Sequence, residues 1–191
     1  MKIIAGAARG RTILTTSKDV MVRPISGRMR QSLFDVLKPM VTGSYFLDLF
    51  AGTGAVGLEA LSRGALKACF VEKDPRCLKV IGKNLARLKW EDKAVILRGN
   101  ALGSLSWTTH RAGVEAFDLI FLGPPYRDEA NRMLAYSNPV LRHILEGKIL
   151  APNGWVICQH HKTEDLGETK GLKSFRRTRY GDSFISYFRR Q

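Results

Sequence analysis

Four short groups of residues have the types and spacing for chemistry on a nucleotide-like ligand. The first is Gly52-x-Gly54-x-x-Gly57, which follows an apolar run from Tyr45 to Phe50 broken only by Asp48. Glycines there let backbone approach a ligand closely. The helix they open, with Val56, Leu58, Ala60 and Leu61 at helical spacing, offers unpaired N–H groups and positive potential. Asp48, a polar residue inside an apolar strand, must be satisfied, either by a structural hydrogen bond or by a cationic ligand group. The second group is Glu72, 20 positions after Gly52 and at the end of the next apolar run, where a carboxylate accepts hydrogen bonds from ribose hydroxyls or pairs with Lys73. Asn100 is the third, placed to read a base edge or to cap a helix. The fourth is Gly123-Pro124-Pro125-Tyr126, where two prolines stiffen the backbone and fix carbonyl directions, and Tyr126 offers a flat ring at a pocket mouth.

These groups need a frame that brings strand ends together. Buried strands are expected at 45–50, 68–72, 94–97, 117–122 and 154–159, with a closing antiparallel pair at 174–180 and 184–188 around Gly181-Asp182. Helices alternate with them. Ser26 caps one that carries Met29, Leu33, Phe34 and Leu37 on one face and stops at Pro39. A second closes near Arg63-Gly64, a third runs from Asp74-Pro75 to about Leu88, and a helical region spans 128–146, broken before Pro139. Lys2-Ile3-Ile4-Ala5 and Thr12-Ile13-Leu14-Thr15 read as a hairpin with a basic tip. The result is an α/β doubly wound, mostly parallel seven-stranded sheet with a basic N-terminal extension over 1–38 and the main domain over 39–191. Ligands bind such sheets at the carboxyl ends of the strands, where all four groups fall.

Composition narrows the class of partner. Lys and Arg total 31 against 17 acids, a net charge of +14 that draws polyanions, nucleic acid first. Seven of those cations (Lys2, Arg9, Arg11, Lys18, Arg23, Arg28, Arg30) lie in the first 30 residues beside one acid, Asp19, so phosphate contact is expected there. No apolar run nears the ~20 residues of a membrane span. The N-terminal residues lack a signal-peptide core, and three cysteines without a CxxC spacing imply buried free thiols. A cytoplasmic monomer without a metal is the expectation. NAD and S-adenosylmethionine both suit the first half of the chain. Hydride chemistry calls for a further substrate domain that the chain has no room for. A rigid Pro-Pro-Tyr platform suits a flat base beside a methyl donor, and methyl transfer needs in-line positioning rather than a triad.

With those residues in place, the chain resembles the class I S-adenosylmethionine-dependent methyltransferases, and within them the bacterial RsmD-type enzymes that methylate the exocyclic amine of a guanine in small-subunit (16S) ribosomal RNA. The resemblance runs end to end. It rests on Ile4-Ala5-Gly6 with Gly10-Arg11, on Arg23-Pro24 with Arg28-x-Arg30-x-Ser32-Leu33-Phe34, and on Asp48 through Gly54. It continues through Val71-Glu72-Lys73-Asp74, Phe117 through Phe121, Pro124-Pro125-Tyr126 and Tyr180-Gly181-Asp182. It implies that Asp48, Gly52 and Gly54 hold the methionine part of the donor, Glu72 the ribose, and Asn100 with Ala101 the adenine, with Phe50, Ala51, Thr53 and Lys73 completing that set. It implies a base site at Gly123, Pro124, Pro125 and Tyr126, where Tyr126 stacks on a flipped guanine and carbonyls take hydrogen bonds from its amine. Arg9, Arg11, Arg23, Arg28 and Arg30 then line the RNA path.

One departure bears on rate. The family's base motif opens with Asp or Asn, and this chain has Gly123. Asp118 is no substitute, since five strand residues place it roughly 17 Å away. Losing a well-placed polar group costs on the order of 10² in rate. Gly123 makes an RNA-binding assembly factor with weak or lost catalysis one alternative; an amine methyltransferase acting on DNA or protein, which shares the Pro-Pro-Tyr logic, is another.

Overall fold

The computed structural model describes residues 1–16, 25–167 and 169–191. Among these described residues seven strands form one sheet: β1 (Tyr45–Leu49), β2 (Lys67–Glu72), β3 (Ala94–Arg98), β4 (Phe117–Leu122), β5 (Leu150–His161), β6 (Leu172–Tyr180) and β7 (Ser183–Arg190). Their order is β3-β2-β1-β4-β5-β7-β6, parallel except where β7 runs antiparallel between β5 and β6. The order reverses at β1, so β1 and β4 diverge toward opposite halves of the sheet and open a crevice at their carboxyl ends.

Alternate residues of each strand face opposite layers. Leu47, Leu49, Ile120, Leu122, Val156 and Cys158 pack beneath α4 (Trp107–Ala112) and α5 (Ser137–Glu146). Phe46, Leu119, Phe121 and Ile157 face α1 (Gly27–Val41) and α2 (Ala55–Ser62), while Ala68 and Phe70 meet α2 and α3 (Pro75–Leu88). Ser26 caps α1 by accepting from the Met29 N–H at 3.2 Å, and Met29, Leu33, Phe34 and Leu37 are all buried as their spacing predicts. The cysteines are free and buried.

Several expectations need correction. Pro39 does not end α1; the helix runs on to Val41, whose burial in the sheet-facing cluster holds the last turn despite the lost N–H. The expected boundary between 38 and 39 thus falls inside a helix. The N-terminal hairpin is present but short: the antiparallel bridge of Lys2 with Thr12 is flanked by Ile3 N–H to Arg11 O (3.0 Å), Gly10 N–H to Ile3 O (2.9 Å) and Ile13 N–H to Met1 O (2.9 Å). Residues 128–136 are not helical: Asp128 accepts from the Arg132 N–H at 2.8 Å and Asn131 has φ +62, so that stretch is a turn beside the bridge of Arg127 with Met133. α5 starts only at Ser137, with Pro139 tolerated in its first turn. α4 and a short 3-10 turn at Glu91–Lys93 carry no clear signal in the sequence.

α2 crosses Phe70 closely at Gly57, where an added Cβ would lie 2.3 Å from Phe70 Cε1. Gly57→Ala is expected to cost about 1–3 kcal/mol by overpacking. A melting temperature lowered by roughly 3–10 °C on circular dichroism checks it; an unchanged melt means the Phe70 ring can move aside. Among the described residues no helix is long and apolar enough to cross a membrane.

Candidate active site

The loop after β1 is built from strained backbone. Phe50, Gly52 and Gly54 all have positive φ, at 58°, 55° and 81°. A left-handed aromatic is unusual outside constrained sites, and here Phe50 packs its side chain against the α4–α5 layer. The loop is pinned by Ala51 N–H to Val71 O (3.1 Å) and Gly54 N–H to Ala51 O (2.8 Å). Ala51, Gly52, Thr53 and Gly54 are buried. Gly54 caps α2 without a side-chain bond.

Two carboxylates hold this loop from beneath. Asp48, 1% exposed, accepts the Gly57 N–H at 2.9 Å, so one of the helix amides expected to face a ligand is already taken. Burial raises the Asp48 carboxyl to about 7; the Gly57 bond opposes that shift and the Glu72 charge adds to it. Glu72, at the end of β2, accepts from Gly52 N–H at 2.8 Å with one oxygen, and from Lys73 N–H (2.8 Å) and Asp74 N–H (2.9 Å) with the other. Its contact with Lys73 is thus through the backbone. At the tip of β3 Asn100 is exposed, its Oδ1 accepting from Leu102 N–H at 3.0 Å, while Ala101 is buried behind it. A carboxylate at the β2 tip, a tight glycine turn and a buried acid form a set of acceptors around close-approach backbone that fits a nucleoside carrying a cationic group.

The fourth group meets the first directly. Leu49 pairs with Leu122, and the Gly123 N–H donates to Leu49 O at 3.5 Å. Pro124 is buried and Pro125 exposed. Tyr126 is not the open platform expected: it is 9% exposed, its hydroxyl donates to Ser183 Oγ at 3.0 Å and accepts from Gln159 Nε2 at 3.0 Å, and its ring meets His161 edge-on at 5.6 Å. Asp118 sits at the far end of its strand, where its Oδ2 accepts from Tyr45 N–H.

Beside this motif lies a cleft of about 620 Å³, between the N-terminus of α1 and the β6–β7 turn. Arg28, Met29, Gln159, Arg179 and Tyr180 line it. Of the cations expected on an RNA path, Arg28 is at the cleft, and Arg9 and Arg11 are exposed, Arg11 donating to Arg87 O at 3.1 Å. Arg23 lies outside the described residues. Arg30 must be set apart: it is 1% exposed, its Nε sits 3.4 Å from Glu59 Oε2 and its Nη2 donates to Lys2 O, so its charge faces inward and meets no phosphate. Gln159, Ser183 and Arg179 are beyond the reach of sequence reasoning, because only strand pairing brings them to the motif. Among the described residues no group of three or more His, Cys, Asp or Glu is placed to hold a metal ion.

The family model described as conserved hypothetical protein 95 matches residues 1–189. Ribosomal RNA small subunit methyltransferase D of Haemophilus influenzae is 30% identical, the match covering 92% of each chain. The Escherichia coli protein of the same name is 36% identical over 82% of this chain and 69% of its own. Among solved structures, Escherichia coli yhhF superposes with a TM-score of 0.80 at 26% identity, covering 100% of this chain and 98% of that one. A hypothetical protein of Thermus thermophilus gives 0.73 at 30% identity, covering 98% of each. The sheet is that of the class I methyltransferases, and the chain belongs to the conserved hypothetical protein 95 family, the RsmD-type family of ribosomal RNA small subunit methyltransferase D.

Proposed function

We propose that the protein transfers a methyl group from S-adenosylmethionine to the exocyclic amine of a guanine in 16S ribosomal RNA. The observation that carries this reading is the junction of two sites at paired strand ends: the glycine loop after β1 and Gly123-Pro124-Pro125-Tyr126 after β4, with Tyr126 bonded to Gln159 and Ser183 of the cleft that holds Arg28 and Arg179. The names and coverage of the relatives support the RNA substrate. S-adenosylmethionine supplies an electrophilic methyl on a sulfonium. Asp48 and the glycine loop would hold its methionine part, Glu72 its ribose, and Asn100 with Ala101 its adenine. Phe50, Ala51, Thr53 and Lys73 complete the surround.

The chain's own part is placement. The rigid Pro-Pro backbone sets the distance between the base and the donor, and the loop's buried floor keeps water from the approach line. Because Tyr126 is packed rather than open, its role is to support the base site through Gln159 and Ser183. The exposed Pro125 is the better surface for a base.

Transfer of labelled methyl to small subunits lacking the modification tests the reading. Label recovered as a guanosine methylated on its amine is the expected result; label in DNA or protein, or donor-type binding of NAD in calorimetry, would overturn it. Gly123 favours a second reading, an RNA-binding assembly factor with weak catalysis, which tight subunit binding without turnover would support. For the RNA path, replacing Arg28 and Arg179 by Ala is expected to weaken binding and to reduce the salt slope by roughly 1–2. An unchanged slope in filter binding removes those two cations from the interface.

A further inference from the structure

We propose that the Gln159 side-chain carbonyl supplies the hydrogen-bond acceptor for the substrate amine that Gly123 lacks. The inference rests on the amine-methylation reading above and names the group that makes it workable. β4 and β5 run parallel with Leu122 paired to Cys158, so the next residues, Gly123 and Gln159, lie side by side. Phe121 and Ile157, two residues earlier, both face the α1 layer, and a side chain at either 123 or 159 points to that same face. A Cβ built on Gly123 would lie 3.8 Å from Gln159 Oε1. The amide oxygen therefore occupies the neighbourhood that an Asp or Asn side chain at 123 would reach.

Its orientation is set by a relay. The Tyr126 hydroxyl donates to Ser183 Oγ, so it accepts from Gln159, and it takes the Nε2 end. That leaves Oε1 turned toward Gly123. Gln159 also lines the cleft that holds Arg28 and Arg179, so a base entering there meets it. Glycine at 123 leaves room for the longer arm arriving from the neighbouring strand.

In the reaction, the amine nitrogen's lone pair forms the new N–C bond to the methyl carbon. The C–S bond breaks with its electron pair going to sulfur, giving the neutral thioether. The nitrogen then loses one proton to water at the cleft mouth. An amide oxygen is too weak a base to keep that proton. What it does is hold the N–H in line, which turns the lone pair out of the ring system and toward the methyl group.

The test is single-turnover methyl transfer to small subunits lacking the modification, by the wild-type chain, Gln159→Ala, Gly123→Asp and the double variant. Calorimetric binding of S-adenosylhomocysteine and filter binding of the subunit are measured in parallel. Gln159→Ala is expected to lower the rate on the order of 10²-fold, with both bindings within about twofold, and the double variant to recover most of the loss. Asp at 123 can replace a lost acceptor but cannot restore support for Tyr126, so recovery separates the two roles. A Gln159→Ala rate equal to wild type overturns the inference and leaves the methyltransferase reading intact. So does loss without recovery, or an inactive wild type beside an active Gly123→Asp. Inactivity of all four overturns the substrate reading and this inference with it. The Asp side chain fits if the Phe121 ring, 3.1 Å from the built Cβ, yields by a few tenths of an ångström.

Discussion

Glu59→Ala is expected to cost about 3–5 kcal/mol of folding stability, which lowers the melting temperature by roughly 10 °C. Glu59 is fully buried in α2 and has no part in the proposed chemistry. Its two oxygens accept the N–H groups of Ile4 (2.9 Å) and Ala5 (3.0 Å) and the Arg63 Nε (2.8 Å), and Arg30 lies within ion-pair range. Next to it Ser62 continues the seam: its carbonyl accepts Ala7 N–H at 2.7 Å, and its hydroxyl accepts Ala8 N–H and donates to Ala5 O. Gly6 completes it. With φ +83, a Cβ there would sit 1.7 Å from Ser62 O, so only glycine lets the segment lie this close.

Removing the carboxylate leaves Arg30 as a buried cation without its counter-charge, and orphans two backbone donors. Burial already pulls the Arg30 guanidinium below its usual range, with the Glu59 charge pulling it back. Pairing Glu59→Leu with Arg30→Met is therefore expected to regain only the part of the loss due to the buried charge, because the Ile4 and Ala5 N–H groups stay unpaired. Chemical denaturation of the two variants checks this. A cost under about 1 kcal/mol for Glu59→Ala would mean water reaches the seam.

This seam shows which parts of the molecule are legible in the sequence. Strands β1, β2 and β4 read as continuous apolar runs because both faces of a parallel strand are covered, and their ends then point to Asp48, Glu72 and Gly123. The Ile4-Ala5-Gly6 stretch stands out too, but its partners Glu59 and Ser62 lie more than 50 positions away, so the basic block reads as free surface. Arg30 is misplaced for that reason: its charge is visible in the sequence and its burial is not. α4 escapes because Trp107–Ala112 is six residues long with adjacent threonines, too short for a period. Gln159 escapes because nothing in its neighbourhood marks it; only the β4–β5 register sets it beside Gly123.

Asp48→Asn is expected to remove a pH dependence that the wild-type chain shows in both stability and donor binding. The folded carboxyl lies near 7 against an ordinary value of 3.8, raised chiefly by burial. Between those pH values the folded state holds a proton that the unfolded state has released. Stability from this group is therefore full below about 4, falls by about 1.4 kcal/mol per pH unit above that, and is lost as pH passes 7. His160 works in the opposite sense, since burial lowers it to about 4 and stability from it grows as pH rises toward 6.5. Subtracting the Asp48→Asn profile from wild type cancels His160 and isolates the acid. A cationic donor group beside Asp48 favours the ionised form, so binding near pH 7 should release a fraction of a proton, and affinity should rise from about pH 6 to 8. Calorimetry in buffers of different ionisation enthalpy measures that release directly. The Asn variant should show none, and above about pH 7 it should bind on the order of tenfold more weakly, as expected for losing a charged hydrogen-bond partner. Flat wild-type affinity across that range with an intact stability slope would assign Asp48 to the Gly57 amide alone, leaving the donor's cation to be met by the loop's backbone carbonyls.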